Sequence, residues 1–421
     1  MATQGGPSRM ILFENATLLD PEAGEARPGG SLLVEGGTIR EVSDRPTLAG
    51  HASAERVDLG GRVLMPGLVD CHVHVTATTA NLAANALLPP ALVAHRAAAV
   101  MGGMLRRGFT TVRDVGGVTA GLRLAWEEGL FEGPRLVLSG QALSQTGGHG
   151  DGRGRHDGRD PAFFDGRMGA LGRIADGVDG VRRAARAEIR AGADFVKVMA
   201  NGGVASPADP IAYVQYSEEE LRAVVEEARM AGTYVAAHLY TDEAIARAVR
   251  LGVHSLEHCN LIEPATARAA AEAGCVACPT LVTYQALKEE GASLGLPPES
   301  VAKVDDVRLA GLRSLGVMRD AGLPMAFGTD LLGAMHRRQS EEFAIRAAVL
   351  SPLDIVRSAT TVATRLLRME GRIGCLAPGA YADLVVVDGN PLEDAAVLAR
   401  GEAAMLAVMQ GGRFVTRAGL G

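Results

Sequence analysis

Pro66-Gly67-Leu68-Val69-Asp70-Cys71-His72-Val73-His74-Val75 is the stretch on which the fold turns. Its short apolar run, opened by Pro-Gly, reads as a buried parallel strand over 68–75. Side chains alternate along a strand, so His72 and His74, two residues apart, share one face. Two imidazoles at that spacing suit one zinc ion. Taken alone, His-x-His fits two ordinary strand histidines equally well, so the reading depends on what the rest of the chain sets beside it.

Runs of the same kind recur at 110–115, 135–139, 195–199, 234–238, 255–258, 276–279 and 325–328, which with 68–75 make eight. Helical patterns separate them, the signature of βα units on a parallel sheet. The fold class predicted is α/β, a (β/α)8 TIM barrel over 66–373. Helix starts are marked by a capping box at Ser217 to Glu220 and by Ser351 ahead of Pro352. The chain ends look different: strand-like pieces at 31–34, 38–42, 383–387 and 413–416 are broken by Gly and Asp. They predict a small β-sandwich built jointly from 1–65 and 374–421. There is no internal repeat and no low-complexity linker.

The 421 residues are enough for a barrel of about 250 residues plus a second compact unit. The balance of 47% hydrophobic and 22% charged residues is that of a globular chain rather than a disordered one. A net charge of −7 without a basic run argues against nucleic acid as a partner. No segment reaches the roughly 18 uninterrupted apolar residues of a membrane helix, so no membrane partner is expected; the N-terminus lacks the apolar stretch of a secretory signal, so cytoplasmic residence is the default, with a removed signal peptide as the alternative. A homo-oligomeric assembly is expected. Five scattered cysteines do not form a disulfide pattern, and Cys275-x-x-Cys278 reads as two buried small side chains.

Basic residues are unevenly chosen: only Lys197, Lys288 and Lys303 are lysine, the rest of the 42 being arginine. Lys197 stands in Asp-Phe-Val-Lys-Val-Met-Ala, a buried-strand pattern where an ammonium needs a chemical reason. His238 closes Val-Ala-Ala-His, His258 closes Ser-Leu-Glu-His, and Asp330 follows Ala-Phe-Gly-Thr. Each sits at a predicted strand end, and in a barrel the C-terminal strand ends form the active-site face. His72, His74, Lys197, His238, His258 and Asp330 are therefore expected to converge. Tyr240, two residues beyond His238, either faces the same mouth or packs as a core tyrosine. His149, within Gly147-Gly-His-Gly-Asp-Gly-Arg-Gly154, either orients substrate or is a solvated loop histidine. Those glycines make a poor phosphate loop, because no Gly-Lys-Ser/Thr follows. Asp114 reads as a loop anchor or cap, and His51, His95, His156, His254 and His336 as structural or surface residues.

With these residues in view, the chain resembles the amidohydrolase superfamily, in its binuclear branch with a carboxylated lysine. The resemblance runs from Val57-Asp-Leu-Gly-Gly-Arg-Val-Leu-Met-Pro-Gly-Leu-Val-Asp-Cys-His72 to Gly379-Ala-Tyr-Ala-Asp-Leu-Val-Val-Val-Asp388. The stretches around Lys197, His238-Leu-Tyr-Thr and Gly328-Thr-Asp-Leu-Leu-Gly333 look like prolidase-like metallocarboxypeptidases, a branch that includes ochratoxin-hydrolysing amidohydrolases. Relatives usually carry glycine after the last histidine, where this chain has Cys259.

The resemblance implies two divalent ions, expected to be zinc, with His72, His74 and Asp330 on one and His238 and His258 on the other. A carbamate formed on Lys197 from carbon dioxide would bridge them. A free ammonium would repel two cations, whereas a carbamate offers two anionic oxygens to ions about 3.5–4 Å apart, and an arginine stays protonated. Two dications, the carbamate, Asp330 and a hydroxide sum to +1, which favours an anionic substrate. Asp330 would take the proton of the attacking water and pass it to the leaving amine. The substrate implied is a small amide or dipeptide with a free C-terminal carboxylate, which Tyr240 and His149 would contact. A cyclic-amide hydrolase of the hydantoinase or dihydroorotase kind, using similar ligands, is the alternative enzyme. A non-catalytic scaffold of the same fold is the alternative from another class, although such a chain is expected to have lost ligands and none is missing. A mononuclear deaminase would leave Lys197 without a task.

Overall fold

The computed structural model describes residues 9–48, 51–154, 156–206 and 209–420. Two compact units divide the chain: Met1–Val69, Met104–Thr111 and Ser351–Gly421 form one, and Asp70–Gly103 with Val112–Leu350 the other.

The first unit is built on one eight-stranded sheet drawn from both chain ends. Its pairing order is Arg413–Thr416, Met405–Gln410, Leu384–Val387, Val63–Pro66, Met10–Asp20, Glu25–Glu35 and Thr38–Ser43, with Glu55–Asp58 also paired to Met10–Asp20. The strand-like pieces at 31–34, 38–42 and 413–416 fall in this sheet, as does 383–387 apart from Asp383, which precedes its strand. Alternation explains why both faces are apolar. Ile11 and Phe13 join Leu32, Leu64, Leu384 and Val386 in one cluster, while Leu12, between them, packs with Leu33 and Leu48 in another.

In the second unit six strands pair in parallel, in the order Gly172–Ile174, Ala142–Ser144, Val196–Met199, Val235–Thr241, Ser255–Leu261 and Val276–Cys278. A separate three-stranded sheet comprises Leu68–Val73, Phe109–Asp114 and Arg135–Leu138. The strand expected at 135–139 thus ends at Leu138 and the chain resumes as Ala142–Ser144 in the larger sheet, with Gly140 at φ +72° in the break. The strand expected at 325–328 is reduced to a bridge between Met325 and Ala277. Its backbone is still tied on both sides: Ala326 N–H donates to Ala277 O at 2.8 Å, and Cys71 N–H donates to Phe327 O at 2.7 Å. Glycine is required at 328, because a Cβ there would stand 2.5 Å from Cys278 Sγ and 2.9 Å from His72 Cβ.

Apolar strand residues Val196, Val198, Ala237, Leu256 and Ala277 pack with Val181, Leu221, Val224 and Ile245 of the intervening helices. The alternate positions carry Lys197, His238 and Glu257, buried yet polar. The helix Glu218–Met230 begins with the expected capping box, and Ser351 accepts from Asp354 N–H at the start of Pro352–Ser358. Among the described residues no helix is long and apolar enough to cross a membrane, and the five cysteines are free thiols.

Arg346 fastens the Val276–Cys278 end of the sheet. Its Nη2 donates to Pro279 O at 2.7 Å and Ala326 O at 3.1 Å, and its Nε to Glu342 Oε1 at 2.8 Å, with both side chains fully buried. Removing one member of such a pair strands the other charge, at a cost of about 3–5 kcal/mol. Arg346→Met, close in length but uncharged, should therefore lower the urea midpoint by an amount corresponding to that loss. Equilibrium denaturation checks it.

Candidate active site

The parallel register decides which side chains meet. Met199 pairs with His238, Lys197 with Ala236, and Leu239 with His258. Lys197 and Met199 point to one side of their strand and His238 and Tyr240 to the same side of the next, and all four line one cavity. His258 reaches that cavity by a different route. Glu257 already occupies the inward position, so strict alternation would turn His258 outward. A register shift between Leu239 and Thr241 inserts one extra residue there, and His258 and Cys259 lie at φ +70° and +59°. The bulge keeps both Glu257 and His258 on the inner side and sends Cys259 into the outer core. A left-handed backbone is one that glycine adopts without strain, and here Cys259 holds it.

The cavity brings together His72, His74, His149, Lys197, His238, Tyr240, His258 and Asp330. His72 Nε2 and His74 Nε2 lie 3.5 and 3.4 Å from Asp330 Oδ1. Donor atoms of His72, His258 and Asp330 all fall within 4.8 Å of one another, a grouping able to hold a metal ion. The ring of His258 is centred 4.7 Å from that of His72 and 4.6 Å from that of His238. Asp330 itself has a left-handed backbone, φ +52°, with its N–H donating to His72 O at 2.8 Å.

At His72, His74 and His258 the Nδ1 nitrogen is engaged, which leaves Nε2 facing the cavity, whereas His238 has its Nε2 3.3 Å from Gly202 O. His72 Nδ1 is 2.7 Å from Glu257 Oε2, His74 Nδ1 is 2.8 Å from Gly116 O, and His258 Nδ1 is 2.8 Å from Thr280 Oγ1. Such partners fix ring orientation and tautomer for metal binding. Burial pulls the His74 pKa down to about 4 and holds His238 and His258 well below the usual imidazole range, so these rings are neutral, as ligands must be. At His72 burial acts the same way, but Asp330 and Glu257 outweigh it and move the pKa up. The space between those carboxylates therefore favours a cation. Burial would raise Asp330, yet the neighbouring imidazoles, His72 foremost, hold it below the usual carboxylate range.

A second grouping, His72, Glu257 and Cys278, also has donor atoms in range. It suits a metal poorly: Glu257 already accepts Arg113 Nη2 at 2.8 and 2.9 Å and Ser255 Oγ at 2.6 Å. Burial also raises the Cys278 thiol well above its ordinary pKa, keeping it protonated.

Lys197 is buried, and among the described residues its Nζ has no hydrogen-bond or ion-pair partner. Burial lowers its pKa to about 8 against the opposing pull of Glu257 and Asp330. A neutral amine, the form that reacts with carbon dioxide, is correspondingly easier to reach. His149 stacks on His238 with ring centres 4.3 Å apart and places Nδ1 3.2 Å from Asp209 Oδ2. Tyr240 OH accepts from Tyr284 OH at 3.1 Å, which leaves its own proton for another acceptor. Asp114 lies behind the site and accepts from Val75 N–H at 2.7 Å and Gly116 N–H at 3.0 Å, as a loop anchor does. His336 is buried, with Nε2 3.2 Å from Ala77 O.

Sequence reasoning missed Glu257, Arg113, Thr280, Tyr284 and Asp209. Two of them carried the signal that marked Lys197: Arg113 and Glu257 are charges inside buried-strand patterns, Thr-Thr-Val-Arg-Asp and Ser-Leu-Glu-His. The roles of Thr280, Tyr284 and Asp209 depend on loop geometry and had no comparable mark.

A family model described as "Amidohydrolase family" matches residues 63–415. The chain is 33% identical to an ochratoxinase of Aspergillus niger, over 96% of this chain and 87% of that one. Among solved structures, an amidohydrolase matches with TM-score 0.93 at 53% identity, covering 96% of this chain and 98% of the other. A prolidase complexed with N-methylphosphonate-L-proline matches with TM-score 0.94 at 51% identity, covering 97% and 100%.

Glu257→Gln preserves shape but removes the charge that orients His72. Losing such an outer partner costs about 10- to 100-fold in metal affinity. Competition with a chromophoric chelator should register that loss for the variant.

Proposed function

The chain belongs to the amidohydrolase family, and we propose that it is a binuclear zinc hydrolase of amides whose leaving amine is a C-terminal amino acid. N-acyl amino acids and dipeptides with a free carboxylate are the substrate class, including ochratoxin A, which would yield ochratoxin alpha and phenylalanine. We read the parallel strands as a (β/α)8 barrel over 66–373, and the mixed sheet of the chain ends, 1–65 and 374–421, as its β-sandwich. The observation that carries the reading is the convergence of His72, His74, His238 and His258, the Asp330 carboxylate and the buried Lys197 on one cavity.

His72, His74 and Asp330 would hold one ion, His238 and His258 the other, with Lys197 as carbamate between them. Two bound ions would supply Lewis acidity and a water of lowered pKa. The chain's own groups do the rest. Asp330, held anionic by its imidazole neighbours, accepts the proton of the attacking water and returns it to the leaving nitrogen. Tyr240, its oxygen already accepting from Tyr284, donates its proton to the substrate carboxylate. His149, oriented by Asp209, stands beside His238 to hold the scissile carbonyl. Leu82, Ala86, Phe164, Leu171, Leu287 and Leu332 line the remaining wall and suit an apolar or aromatic side chain. Likeness to the prolidase supports the dipeptide part of the reading, and likeness to the ochratoxinase its aromatic part.

Lys197→Met keeps the packing of the stem and removes the amine. Under this reading it should lose most bound metal and activity, by elemental analysis and turnover. A lysine serving only as packing would leave both intact, and the binuclear assignment would then fail.

The positive charge that two bound ions would leave and the Tyr240 proton together favour a substrate carboxylate. Converting it to the methyl ester should lower kcat/KM about tenfold or more, the worth of one charge-assisted hydrogen bond. Paired assays of acid and ester measure it. A preference for cyclic imides in the same assay would move the chain to the hydantoinase-like class.

A further inference from the structure

Two of the three lysines have an account: Lys197 lies in the site, and Lys288 pairs with Asp305 on the surface at 2.6 Å. Lys303, on the helix Pro298–Asp320, has a more unusual environment. Its half-buried Nζ donates to three backbone carbonyls, Gly203 O at 2.5 Å, Ser206 O at 2.5 Å and Asp209 O at 3.0 Å. Three acceptors around one nitrogen match the tetrahedral N–H directions of an ammonium. A guanidinium directs its donors into a plane and cannot serve three such carbonyls from one apex. That difference explains a lysine here in a chain that otherwise takes arginine for nearly every cation.

The stretch so gathered forms part of the cavity. Val204, Ala205 and Ser206 line it. Asp209 Oδ2 accepts Gly203 N–H at 2.9 Å and Gln215 Nε2 at 3.1 Å, besides meeting His149 Nδ1. Gly203 cannot bear a side chain, since a Cβ would stand 2.0 Å from His149 Cε1. Gly202 O lies 3.3 Å from His238 Nε2. The position of His149 is thus set by Asp209, whose own carbonyl, like those of Gly203 and Ser206, ends on Lys303.

We propose that Lys303 is a positioning residue: its ammonium clamps the Gly203, Ser206 and Asp209 carbonyls, fixing the cavity wall and the Asp209–His149 pair against bound substrate. Lys303 is not among the residues that line the cavity. Its catalytic consequence rests on the function proposed above, whereas the clamp itself is observable without any substrate.

The experiment uses the metal-loaded protein and its Lys303→Met, Lys303→Arg and Lys303→Ala variants. In hydrogen–deuterium exchange, peptides covering 202–206 should exchange about tenfold faster in all three variants, local opening being governed by the lost contacts. Metal content should stay at the wild-type level. With a cleaved substrate, kcat/KM should fall roughly 10- to 100-fold, as a small misplacement of a substrate-holding group does, and arginine should not restore it. Propylammonium, which replaces the missing stem and its three N–H donors, should restore protection to Lys303→Ala, while propyltrimethylammonium, with no N–H, should not. Unchanged exchange in Lys303→Met, or full protection in Lys303→Arg, overturns the clamp. If no amide in the panel is cleaved by the wild type, the function proposed above fails, and the exchange data still decide the clamp. Should Lys303→Ala fail to fold, the Met and Arg variants carry the test.

Discussion

A fully buried carboxylate must be compensated, and around Glu257 that requirement organises the second unit. Its oxygens take Arg113 on one side and His72 Nδ1 on the other, with Ser255 as a further donor. Arg113 also donates to Cys71 O at 2.5 Å, so one guanidinium links the strand of His72 to that of His258. An ion pair of this kind adds little net stability over apolar packing. What it provides is placement: the carboxylate orients the imidazole, and the arginine keeps that carboxylate charged without drawing it away. Burial would raise the Glu257 pKa, yet Arg113 and His72 hold it well below the usual range.

The bulge at His258 follows from the same constraint. A strand offers its inner face every second residue, and Glu257 claims that place. Presenting the next residue to the cavity as well requires an interruption of the alternation, and the left-handed pair His258–Cys259 supplies it. Such backbone costs of the order of 1–3 kcal/mol per residue and persists where surrounding contacts over-determine it. Thr280 on His258 Nδ1 and the apolar packing of Cys259 are those contacts here. Asp330, also left-handed, presents its carboxylate to the same group of imidazoles.

The two parts of the cavity differ in how they are held. His72, Lys197, His238 and His258 stand on strands whose ladders fix them, and His74 follows directly on the end of one. The side carrying His149 and Asp209 is loop, and its geometry depends on hydrogen bonds made by side chains: Gln215 to His149 N–H at 2.9 Å, Asp209 to Gly203, and Lys303 to three carbonyls.

The alternation of apolar runs with helical patterns made the parallel strands legible, because burial on both faces leaves a continuous apolar run whatever the neighbours are. His72, His74, Lys197, His238, His258 and Asp330 were legible for a related reason. A polar residue in such a run is costly, so its presence marks chemistry before any contact is known. The sequence also signalled the capping box at Ser217 and the strand pieces at the chain ends, both local patterns. Tertiary structure alone decided that the third strand breaks at Gly140 and that 325–328 contributes only a bridge, since pairing partners lie far away in sequence. It alone decided the bulge at His258, the Glu257–His72 contact and the Lys303 clamp. Hydrogen bonds between groups 94 to 185 residues apart leave no periodic trace along the chain. Their geometry exists only once the strands have found their register.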